Sequence, residues 1–458
     1  MMAMQLSEAA QVLSAALTGA DVAFRGVSTD SRRPMPGALF FALQGPNFDG
    51  HAYVEAARAQ GAAAAAVSKP CASTLPQISV SDTRLALGQL SAHWRSRFDI
   101  PVIAITGSNG KTTVRAMTAA ILARCGRALS TQGNLNNDIG LPLTLARLDA
   151  ADDYAVIEMG ANHSGEIGYL TGIARPTIGV VTNAGPAHLE GFGDLPGVAR
   201  AKGELFAGLA AGGVAVINAD DDFAPLWRQL AAHCRIVEFG LRTECDVTAR
   251  WDGDADGSAV ELVTPQGSVA LHLPLPGRHN VMNALAAAAV AQLAGAGLDD
   301  IRQGLEALAP VAGRFNVHHL SGDITLIDDT YNANPGSLQV ALDVLVQADG
   351  DTWLVLGDMG ELGAGAADLH RRAGEQARAA GVTRVYGLGE LARAAVEGFA
   401  GPGAAFDSLE QLLDGLREEL CGPLHILVKG SRRMRMERVV DALLATLQPD
   451  APSSRENH

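Results

Sequence analysis

The chain alternates between short apolar runs and segments whose apolar residues recur at helical spacing. Runs such as "IPVIAIT", "YAVIEMG", "TIGVVTNAG" and "GVAVINADD" have the length and composition of buried strands. Two of the intervening segments place their apolar residues on one helical face: Leu87, Leu90 and Trp94 in the first, and Val114, Met117, Ile121 and Cys125 in the second. Strands that alternate with helices in this way predict a parallel sheet covered on both faces.

The alternation breaks at "LAPVAGRF" and restarts beyond it with "ITLIDDTY", "TWLVLGDMG", "TRVYGLG" and "LHILVKGS". A first segment mixes short strands with helices, and its opening "MMAMQLSEAAQVLSAAL" reads as a helix. We therefore expect an α/β protein of three domains: a small N-terminal α/β domain at 1–98, a central parallel-sheet domain at 99–313 and a C-terminal Rossmann-like α/β domain at 314–458. The tail at 448–458 is expected to be disordered.

Composition and charge narrow the class of protein. A chain of 458 residues is too long for one hydrophobic core, which agrees with several domains. The formal net charge of −15 argues against nucleic acid as the main partner, and no apolar run approaches the length of a membrane span. The five cysteines form no C-x-x-C pair, and the start of the chain lacks a basic leader. We therefore expect a cytoplasmic protein without a disulfide framework or a zinc site.

A glycine loop between a predicted strand and a predicted helix is the first candidate for chemistry. "AITGSNGKTT" has Ile105 where the usual phosphate loop has its first glycine, so the loop is shorter than the familiar pattern. Strand, glycine loop and helix are nevertheless the context that phosphate binding requires, and an ordinary turn would need no lysine. We expect Lys111 to meet phosphate and the Thr112 hydroxyl to ligate Mg²⁺. The expected ATP contacts of the loop are Thr106, Gly107, Ser108, Asn109, Gly110, Lys111, Thr112 and Thr113.

Three further residues become candidates for the active site only when they are considered together. Glu158 ends an apolar strand, where α/β sheets place ligands, although alone it would be read as a solvated acid. His188 lies in the glycine-rich "AGPAHLEGFG", and a lone histidine is usually structural. Lys202 lies in an alanine-rich helix, where a lysine is usually a solvated side chain.

The sequence as a whole resembles the Mur ligase family. The stretches that carry this resemblance are, in chain order, "TGSNGKTT", "GNLNNDIG", "IEMGANHSGEI", "AGPAHLEGFG", "AKGELF", "LPGRHNVMNALAA", "DDTYNANPGS" and "LVKGSR". The resemblance runs from "STDSR" at Ser28 to the helix after Gly430, and the short phosphate loop is itself a mark of that family. "GNLNNDIG" and "DDTYNANPGS" narrow it to the branch that adds D-alanyl-D-alanine.

The resemblance implies a central P-loop ATPase domain that performs an ATP-dependent amide ligation through an acyl phosphate. The implied substrates are UDP-N-acetylmuramoyl tripeptide and D-alanyl-D-alanine, whose amino group attacks, and the implied cofactors are two Mg²⁺ ions. Thr112 and Glu158 would hold the first Mg²⁺, and His188 would contribute to the second. Lys202 would be carbamylated and so become an anionic ligand, and Lys111 would neutralise charge on the transferred phosphoryl group. The implied catalytic residues are Lys111, His188 and Lys202.

The resemblance also implies nucleotide contacts outside the loop. Asn280 would contact adenine, with a helix cap as the alternative role. Arg314 would approach phosphate and Asp329 the ribose hydroxyls; a linker charge and a turn acid are the alternatives. The first domain would hold the UDP end of the substrate. The expected substrate contacts are Ser31, Arg32, Asn134, Asn137 and Lys429, the last joined by Arg432 near the dipeptide carboxylate unless both belong to a solvated basic face.

Two rival functions stay open at this point. A ligase similar to folylpolyglutamate synthase would use the same phosphoryl chemistry, but "GNLNND" and the separate N-terminal domain argue against it. A nucleotide-dependent switch protein would not need His188, Lys202 and a third nucleotide-contacting domain. The chain is expected to be a monomer. The sequence leaves open whether the third peptide residue is diaminopimelate or lysine.

Overall fold

The N-terminal domain carries a five-stranded sheet of short strands with the order β2-β9-β8-β5-β4. In this computed structural model the described residues are 1–253, 257–309 and 311–447, so the tail predicted to be disordered lies outside them. The strands are β1 (Ala3–Gln5), β2 (Ala16–Thr18), β3 (Ala23–Arg25), β4 (Val27–Ser28), β5 (Leu39–Phe41), β6 (Gln44–Gly45), β7 (Phe48–Asp49), β8 (Ala64–Val67) and β9 (Gln77–Ser79). The helices are α1 (Leu6–Val12), α2 (Val54–Ala59) and α3 (Thr83–Arg95).

The helix predicted for the first 17 residues is wrong at both ends. Residues Ala3–Gln5 form β1, which pairs antiparallel with β3, and only Leu6–Val12 are helical. Met4 lies opposite Phe24 in this pairing, and both side chains are buried. Burial of this pair outweighs the local helical preference of the segment.

The central domain is a parallel six-stranded sheet with the order β11-β12-β10-β13-β14-β15. Its strands are β10 (Val102–Thr106), β11 (Ala128–Ser130), β12 (Tyr154–Glu158), β13 (Ile178–Val181), β14 (Val214–Asn218) and β15 (Arg235–Phe239). An antiparallel meander follows, formed by β16 (Thr248–Gly253), β17 (Ser258–Thr264) and β18 (Gly267–Leu273). The helices are α4 (Lys111–Leu122), α5 (Gly140–Leu145), α6 (Glu166–Ala174), α7 (Leu189–Phe192), α8 (Leu195–Ala207), α9 (Ala224–Leu230), α10 (Arg278–Leu293) and α11 (Leu298–Glu306).

Most of the helical stripe predicted for α4 is buried, and so is the alanine-rich α10. Val114, Met117 and Ile121 are fully buried, as their spacing predicts. The helix ends at Leu122, so Cys125 lies beyond it and is exposed, and its assignment to the buried stripe is wrong. The alanine-rich α10 is buried on nearly all sides, because small side chains let neighbouring elements approach closely.

The C-terminal domain has a six-stranded sheet with the order β19-β20-β24-β21-β22-β23, in which only the β19–β20 pairing is antiparallel. Its strands are β19 (Asn316–Leu320), β20 (Ile324–Asp329), β21 (Asp351–Gly357), β22 (Arg384–Leu388), β23 (Gly403–Phe406) and β24 (Leu424–Lys429). Its helices are α12 (Pro335–Leu345), α13 (Ala366–Ala380), α14 (Glu390–Phe399), α15 (Leu409–Arg417) and α16 (Glu437–Thr446).

The predicted fold class, three α/β domains around a central parallel sheet, is confirmed. The boundaries at residues 98 and 313 stay predictions. Helix α3 fixes the first domain to the second, since the Trp94 indole donates to the carbonyl of Leu148 (3.1 Å) and Arg95 Nε donates to the carbonyl of Ala174 (2.9 Å). Within the described ranges, no helix is long and apolar enough to cross a membrane.

Candidate active site

A cavity of about 1020 Å³ lies where the carboxyl ends of the central and C-terminal sheets face each other. Loops after β10, β12 and β13 form one wall, and loops after β20, β21 and β24 form the other. Ligands of α/β proteins bind beyond the carboxyl ends of parallel strands, because loops and helix N-termini converge there. The cavity is therefore the candidate active site, and residues of both domains line it.

Two glycines let the phosphate loop take its shape after β10. Gly107 has φ +144° and Gly110 has φ +82°, a region that disfavours other residues. A Cβ on Gly107 would lie 2.0 Å from Thr182 Oγ1, and one on Gly110 would lie 2.4 Å from Asn283 Oδ1. The loop passes directly into α4, and the unpaired N–H groups in the first turn of a helix favour an anion.

Most of the predicted ATP residues of this loop reach the cavity wall. Ser108, Asn109, Gly110, Lys111 and Thr113 line it. Thr106 is completely buried and donates its hydroxyl to the carbonyl of Met159 (2.8 Å), so its side chain supports the loop from beneath.

Lys111 is held by the loop that it belongs to. Its Nζ donates to the carbonyl oxygens of Gly107 (2.7 Å) and Ser108 (3.2 Å). Burial lowers the pKa of Lys111 to about 8, and the Glu158 carboxylate partly opposes this shift. A phosphate in the loop would offer the ammonium a far stronger partner than two carbonyl groups.

Glu158 is buried at the end of β12, directly beside β10. Its Oε1 accepts a hydrogen bond from Asn136 Nδ2 (2.8 Å), and its Oε2 pairs with Arg115 Nε (3.3 Å). The asparagine-rich pattern predicts Asn134 and Asn137 as contacts but not Asn136. Asn134 and Asn137 do line the cavity, and Asn137 Oδ1 also accepts from the backbone N–H of Gly140 (2.9 Å).

His188 contacts a carboxylate of the C-terminal domain that no local sequence pattern indicates. Its Nδ1 lies 2.5 Å from Glu361 Oε2. His188 Nδ1 is buried, and among the described residues it has no partner with hydrogen-bond alignment. The contact with His188 lowers the pKa of the Glu361 carboxyl, with Arg433 contributing from further away.

Lys202 is almost completely buried in α8 and does not line the cavity. Its Nζ lies 5.2 Å from the centre of the Phe192 ring. Burial lowers the pKa of Lys202 to about 7, with the charge of Lys111 acting in the same direction and Glu166 and Glu204 opposing it. A substantial neutral fraction near pH 7 is the state in which an amine can capture carbon dioxide.

The C-terminal domain reaches the phosphate loop through two contacts. Arg314 Nη2 donates to Thr112 Oγ1 (3.3 Å), and the Arg314 guanidinium lies 4.0 Å from the centre of the Tyr331 ring. Asn334 Nδ2 donates to Asn109 Oδ1 (2.8 Å). The family resemblance predicts Arg314 at this site but not Tyr331 or Asn334.

Asp329 and Lys429 form an ion pair at the ends of β20 and β24, which are neighbouring strands. Lys429 is 2% exposed, and its Nζ also donates to the carbonyl of Asn332 (3.1 Å). The Lys429 ammonium is therefore already neutralised by Asp329, and its role at a dipeptide carboxylate stays a prediction. Arg432 lines the same cavity and is much more exposed.

Asn280 lies inside α10 and not at its cap. The helix begins at Arg278 after Gly277, so the helix-cap alternative for Asn280 is wrong. Its Nδ2 donates to the carbonyl of Pro276 (2.8 Å), and the residue lines the cavity. Next to it, burial lowers the pKa of His279 to about 4, and Lys429 adds to the shift.

Ser31 and Arg32 belong to the N-terminal domain and do not line the cavity. Arg32 Nε and Nη2 donate to the two carboxylate oxygens of Asp30 (2.7 and 3.0 Å). The UDP contacts predicted for these residues stay predictions.

The donors beside the loop fit a magnesium ion. Thr112 Oγ1 and the Glu158 carboxylate offer oxygen atoms beside the phosphate loop, and His188 Nδ1 is buried against Glu361 without an aligned hydrogen bond. Among the described residues, no cluster of three or more histidine, cysteine or carboxylate side chains could hold a metal alone.

Comparison with known families covers most of the chain. Residues 105–291 match the family model "Mur ligase middle domain". Residues 313–432 match "Mur ligase, glutamate ligase domain", and residues 23–95 match "Mur ligase family, catalytic domain".

Individual relatives are similar over nearly their whole length. The chain is 46% identical to UDP-N-acetylmuramoyl-tripeptide–D-alanyl-D-alanine ligase of Escherichia coli (strain K12), covering 97% of this chain and 99% of the relative. A crystal structure of MurF from Acinetobacter baumannii superimposes with a TM-score of 0.92 at 37% identity, covering 97% and 99% of the two chains. The structure of MurF ligase from Thermotoga maritima in complex with ADP gives a TM-score of 0.82 at 27% identity, covering 91% and 96%.

Proposed function

The chain belongs to the Mur ligase family, and we infer that its reaction is the ATP-dependent addition of D-alanyl-D-alanine to UDP-N-acetylmuramoyl tripeptide in peptidoglycan synthesis. The observation that carries this conclusion is the 46% identity to the ligase with that name over 97% of the chain. The geometry agrees with it, since the phosphate loop and the C-terminal residues that touch it share one cavity.

ATP is the co-substrate, and we propose that its phosphates lie on the loop at 107–113. The N-terminus of α4 and the Lys111 ammonium would bind the β- and γ-phosphates. Arg314, already in contact with Thr112, would meet a phosphate oxygen. Adenine would lie near Asn280, and the ribose near Asp329, both of which line the same cavity.

Two Mg²⁺ ions are proposed beside these phosphates. Thr112 and Glu158 would hold the first, and His188 would contribute to the second. Bound there, the ions would offset the charge of the triphosphate and of the substrate carboxylate. The Lys202 amine, which is partly neutral near pH 7, would take up carbon dioxide and present an anionic carbamate toward the second position.

The proposed chemistry has two steps with balanced atoms. A carboxylate oxygen of the tripeptide attacks the γ-phosphorus of ATP, ADP leaves, and an acyl phosphate forms. The amino group of D-alanyl-D-alanine then attacks the acyl carbon and loses a proton, while phosphate departs with one of the original carboxylate oxygens. Lys111 would stabilise charge on the transferred phosphoryl group, and the two facing domains would shield the acyl phosphate from water.

The remaining predictions concern the surroundings of the enzyme. We propose a monomer that works in the cytoplasm, where nucleotide and UDP-linked precursors are available. Ser31 and Arg32 would contact the diphosphate of the UDP group, and Asn134 and Asn137 the peptide near the reacting carboxylate.

The test is a reconstitution with purified protein, ATP, Mg²⁺, UDP-N-acetylmuramoyl tripeptide and D-alanyl-D-alanine. Each turnover should yield one ADP and one product heavier than the tripeptide by the dipeptide minus water. Omission of either substrate should abolish the product. Lys111→Ala serves as the inactive control, since loss of this charge should cost orders of magnitude in turnover. ATP hydrolysis at the same rate with and without the two substrates would favour the switch-protein alternative.

A further inference from the structure

We propose that Glu361 binds the amino group of the incoming dipeptide and orients it toward the acyl phosphate. This inference rests on the function proposed above, because it concerns the second substrate of that reaction. Glu361 lies on the C-terminal wall of the cavity, opposite His188 of the central domain. None of the residue roles in the proposed function concerns binding of the amine.

A comparison of the acidic residues of the cavity wall singles out Glu361. Among the described residues that line the cavity, the acids are Glu158, Glu166, Asp329 and Glu361. Glu158 is bound by Asn136 and Arg115, and Asp329 by Lys429.

The two remaining acids differ in their partners. Glu166 accepts hydrogen bonds from the backbone N–H groups of Asn162 and His163 and pairs with the His163 ring. Glu361 has one ion-pair partner within the described chain, His188, and that contact lacks hydrogen-bond alignment. If His188 releases this contact, the Glu361 carboxylate can accept an incoming amine, with Arg433 as the other charged group that acts on it.

The backbone at Glu361 is held in a conformation that glycine would adopt more easily. Its φ is +61°, in the left-handed region. Such conformations cluster at functional sites, where the surrounding structure maintains them.

Hydrogen bonds hold the segment just before Glu361, and a buried leucine follows it. The Asp358 carbonyl accepts a hydrogen bond from the backbone N–H of Ser431 (3.0 Å), and Asp358 Oδ1 accepts from the N–H of Ala392 (2.8 Å). The N–H of Met359 donates to His370 Nε2 (2.8 Å). The side chains of Met359 and Leu362 are buried, whereas that of Glu361 is 58% exposed. The fold thus presents this carboxylate to the cavity from a fixed platform.

A carboxylate suits either protonation state of the amine. It pairs with an ammonium by charge, and it accepts an N–H hydrogen bond from a neutral amine while the nitrogen lone pair stays free to attack. Arg433 lines the cavity on the same wall, and its Nε lies near Gly360, next to Glu361. A dipeptide whose amine meets Glu361 would therefore find a guanidinium nearby for its carboxylate.

The test separates the second half-reaction from the first. Glu361→Gln keeps the size of the side chain but removes its charge, and Glu190→Gln is the matched control. Glu190 is an exposed acid close to Gly363 that does not line the cavity. Two readouts are needed: the KM for D-alanyl-D-alanine, and the rate of hydroxamate formation when hydroxylamine replaces the dipeptide. Hydroxylamine is a small neutral nucleophile, so it reports the acyl phosphate without needing an ammonium site.

In Glu361→Gln the KM for the dipeptide should rise by about tenfold or more, the change expected on losing a hydrogen bond to a charged group. The KM for ATP and the hydroxamate rate should stay within about twofold of the unmodified protein, and Glu190→Gln should change neither readout. An unchanged dipeptide KM would overturn the proposal. So would a parallel loss of hydroxamate formation, since Glu361 would then act by holding His188. Failure of the unmodified protein to form product or hydroxamate would contradict the proposed function instead.

Discussion

Asn334 of the C-terminal domain donates a hydrogen bond from Nδ2 to Oδ1 of Asn109 in the phosphate loop, at 2.8 Å. The same side chain caps α12, since Asn334 Oδ1 accepts from the backbone N–H of Ser337 (2.8 Å). The phosphate loop is thereby linked to the first turn of a helix in another domain. A nucleotide bound to the loop would therefore act directly on a contact with the C-terminal domain.

Replacement of Asn334 by aspartate should weaken ATP binding without unfolding α12. The carboxylate keeps the helix cap, but it loses the donated N–H and places a negative charge beside the expected phosphates. We expect the KM for ATP to rise by about tenfold or more, with a thermal midpoint close to that of the unmodified protein. Asn334→Ser, which keeps a cap but adds no charge, should show a smaller rise. Equal KM values in all three proteins would contradict the contact.

Lys202→Ala should be nearly inactive and should recover part of its activity with added acetate or formate. A small carboxylate can occupy the space of the carbamate and supply its charge. Lys202→Arg is the matched control, because it keeps a cation of similar length that cannot be carbamylated, and it should be neither active nor rescued. Steady-state turnover with and without the carboxylate measures this. High activity of the arginine variant would show that a cation, and not a carbamate, serves the reaction.

The Asp329–Lys429 pair should show coupled effects on stability but not on nucleotide binding. Asp329→Asn or Lys429→Met alone leaves a largely buried charge without its partner, a change that typically costs about 3–5 kcal/mol. The double variant removes both charges and should regain much of that loss. ATP affinity should not return, because Asp329 is the proposed ribose ligand. Thermal unfolding and calorimetric titration with a non-hydrolysable ATP analogue separate the two effects; additive destabilisation would contradict the pairing.

His279 should make the protein less stable as the pH falls from about 6.5 to about 4. Its pKa is about 4 in the folded protein against 6.5 in the unfolded chain, so the unfolded chain binds the proton first. The contribution of the neutral His279 ring to the free energy of unfolding is fully present above pH 6.5 and is lost as the pH falls from about 6.5 to about 4. His279→Leu should therefore reduce the difference in urea stability between pH 7.5 and pH 5 by up to about 2 kcal/mol. His272→Leu, at an exposed position on β18, should leave that difference unchanged.

Local sequence patterns predicted the elements whose conformation depends mainly on their own residues. Within the run "IPVIAIT", Val102–Thr106 form a fully buried central strand, and Gly107 and Gly110 take the backbone conformations that a phosphate loop needs. The meander β16–β18 was missed although β17 alternates buried and exposed residues, a signal that could have revealed it. The segment at residues 3–5 could not be read locally, because its pairing with β3 decides its conformation.

The candidate site divides in the same way. Residues within one motif, such as Lys111 and Glu158, could be selected because strand ends and glycine loops have recognisable patterns. The contact between His188 and Glu361 joins loops of two domains and depends on how these domains face each other. No local pattern around Glu361 indicates an active-site residue, so only the folded chain reveals it.

The proposed mechanism requires the transfer of a phosphoryl group from ATP to the substrate carboxylate, and isotope transfer tests this step directly. UDP-N-acetylmuramoyl tripeptide carrying oxygen-18 in both oxygens of the reacting carboxylate is incubated with the protein, ATP, Mg²⁺ and D-alanyl-D-alanine. Mass spectrometry of the products should find one labelled oxygen in each phosphate released, one in the new amide and none in ADP. Unlabelled phosphate, or label in AMP, would contradict an acyl phosphate and with it the proposed mechanism.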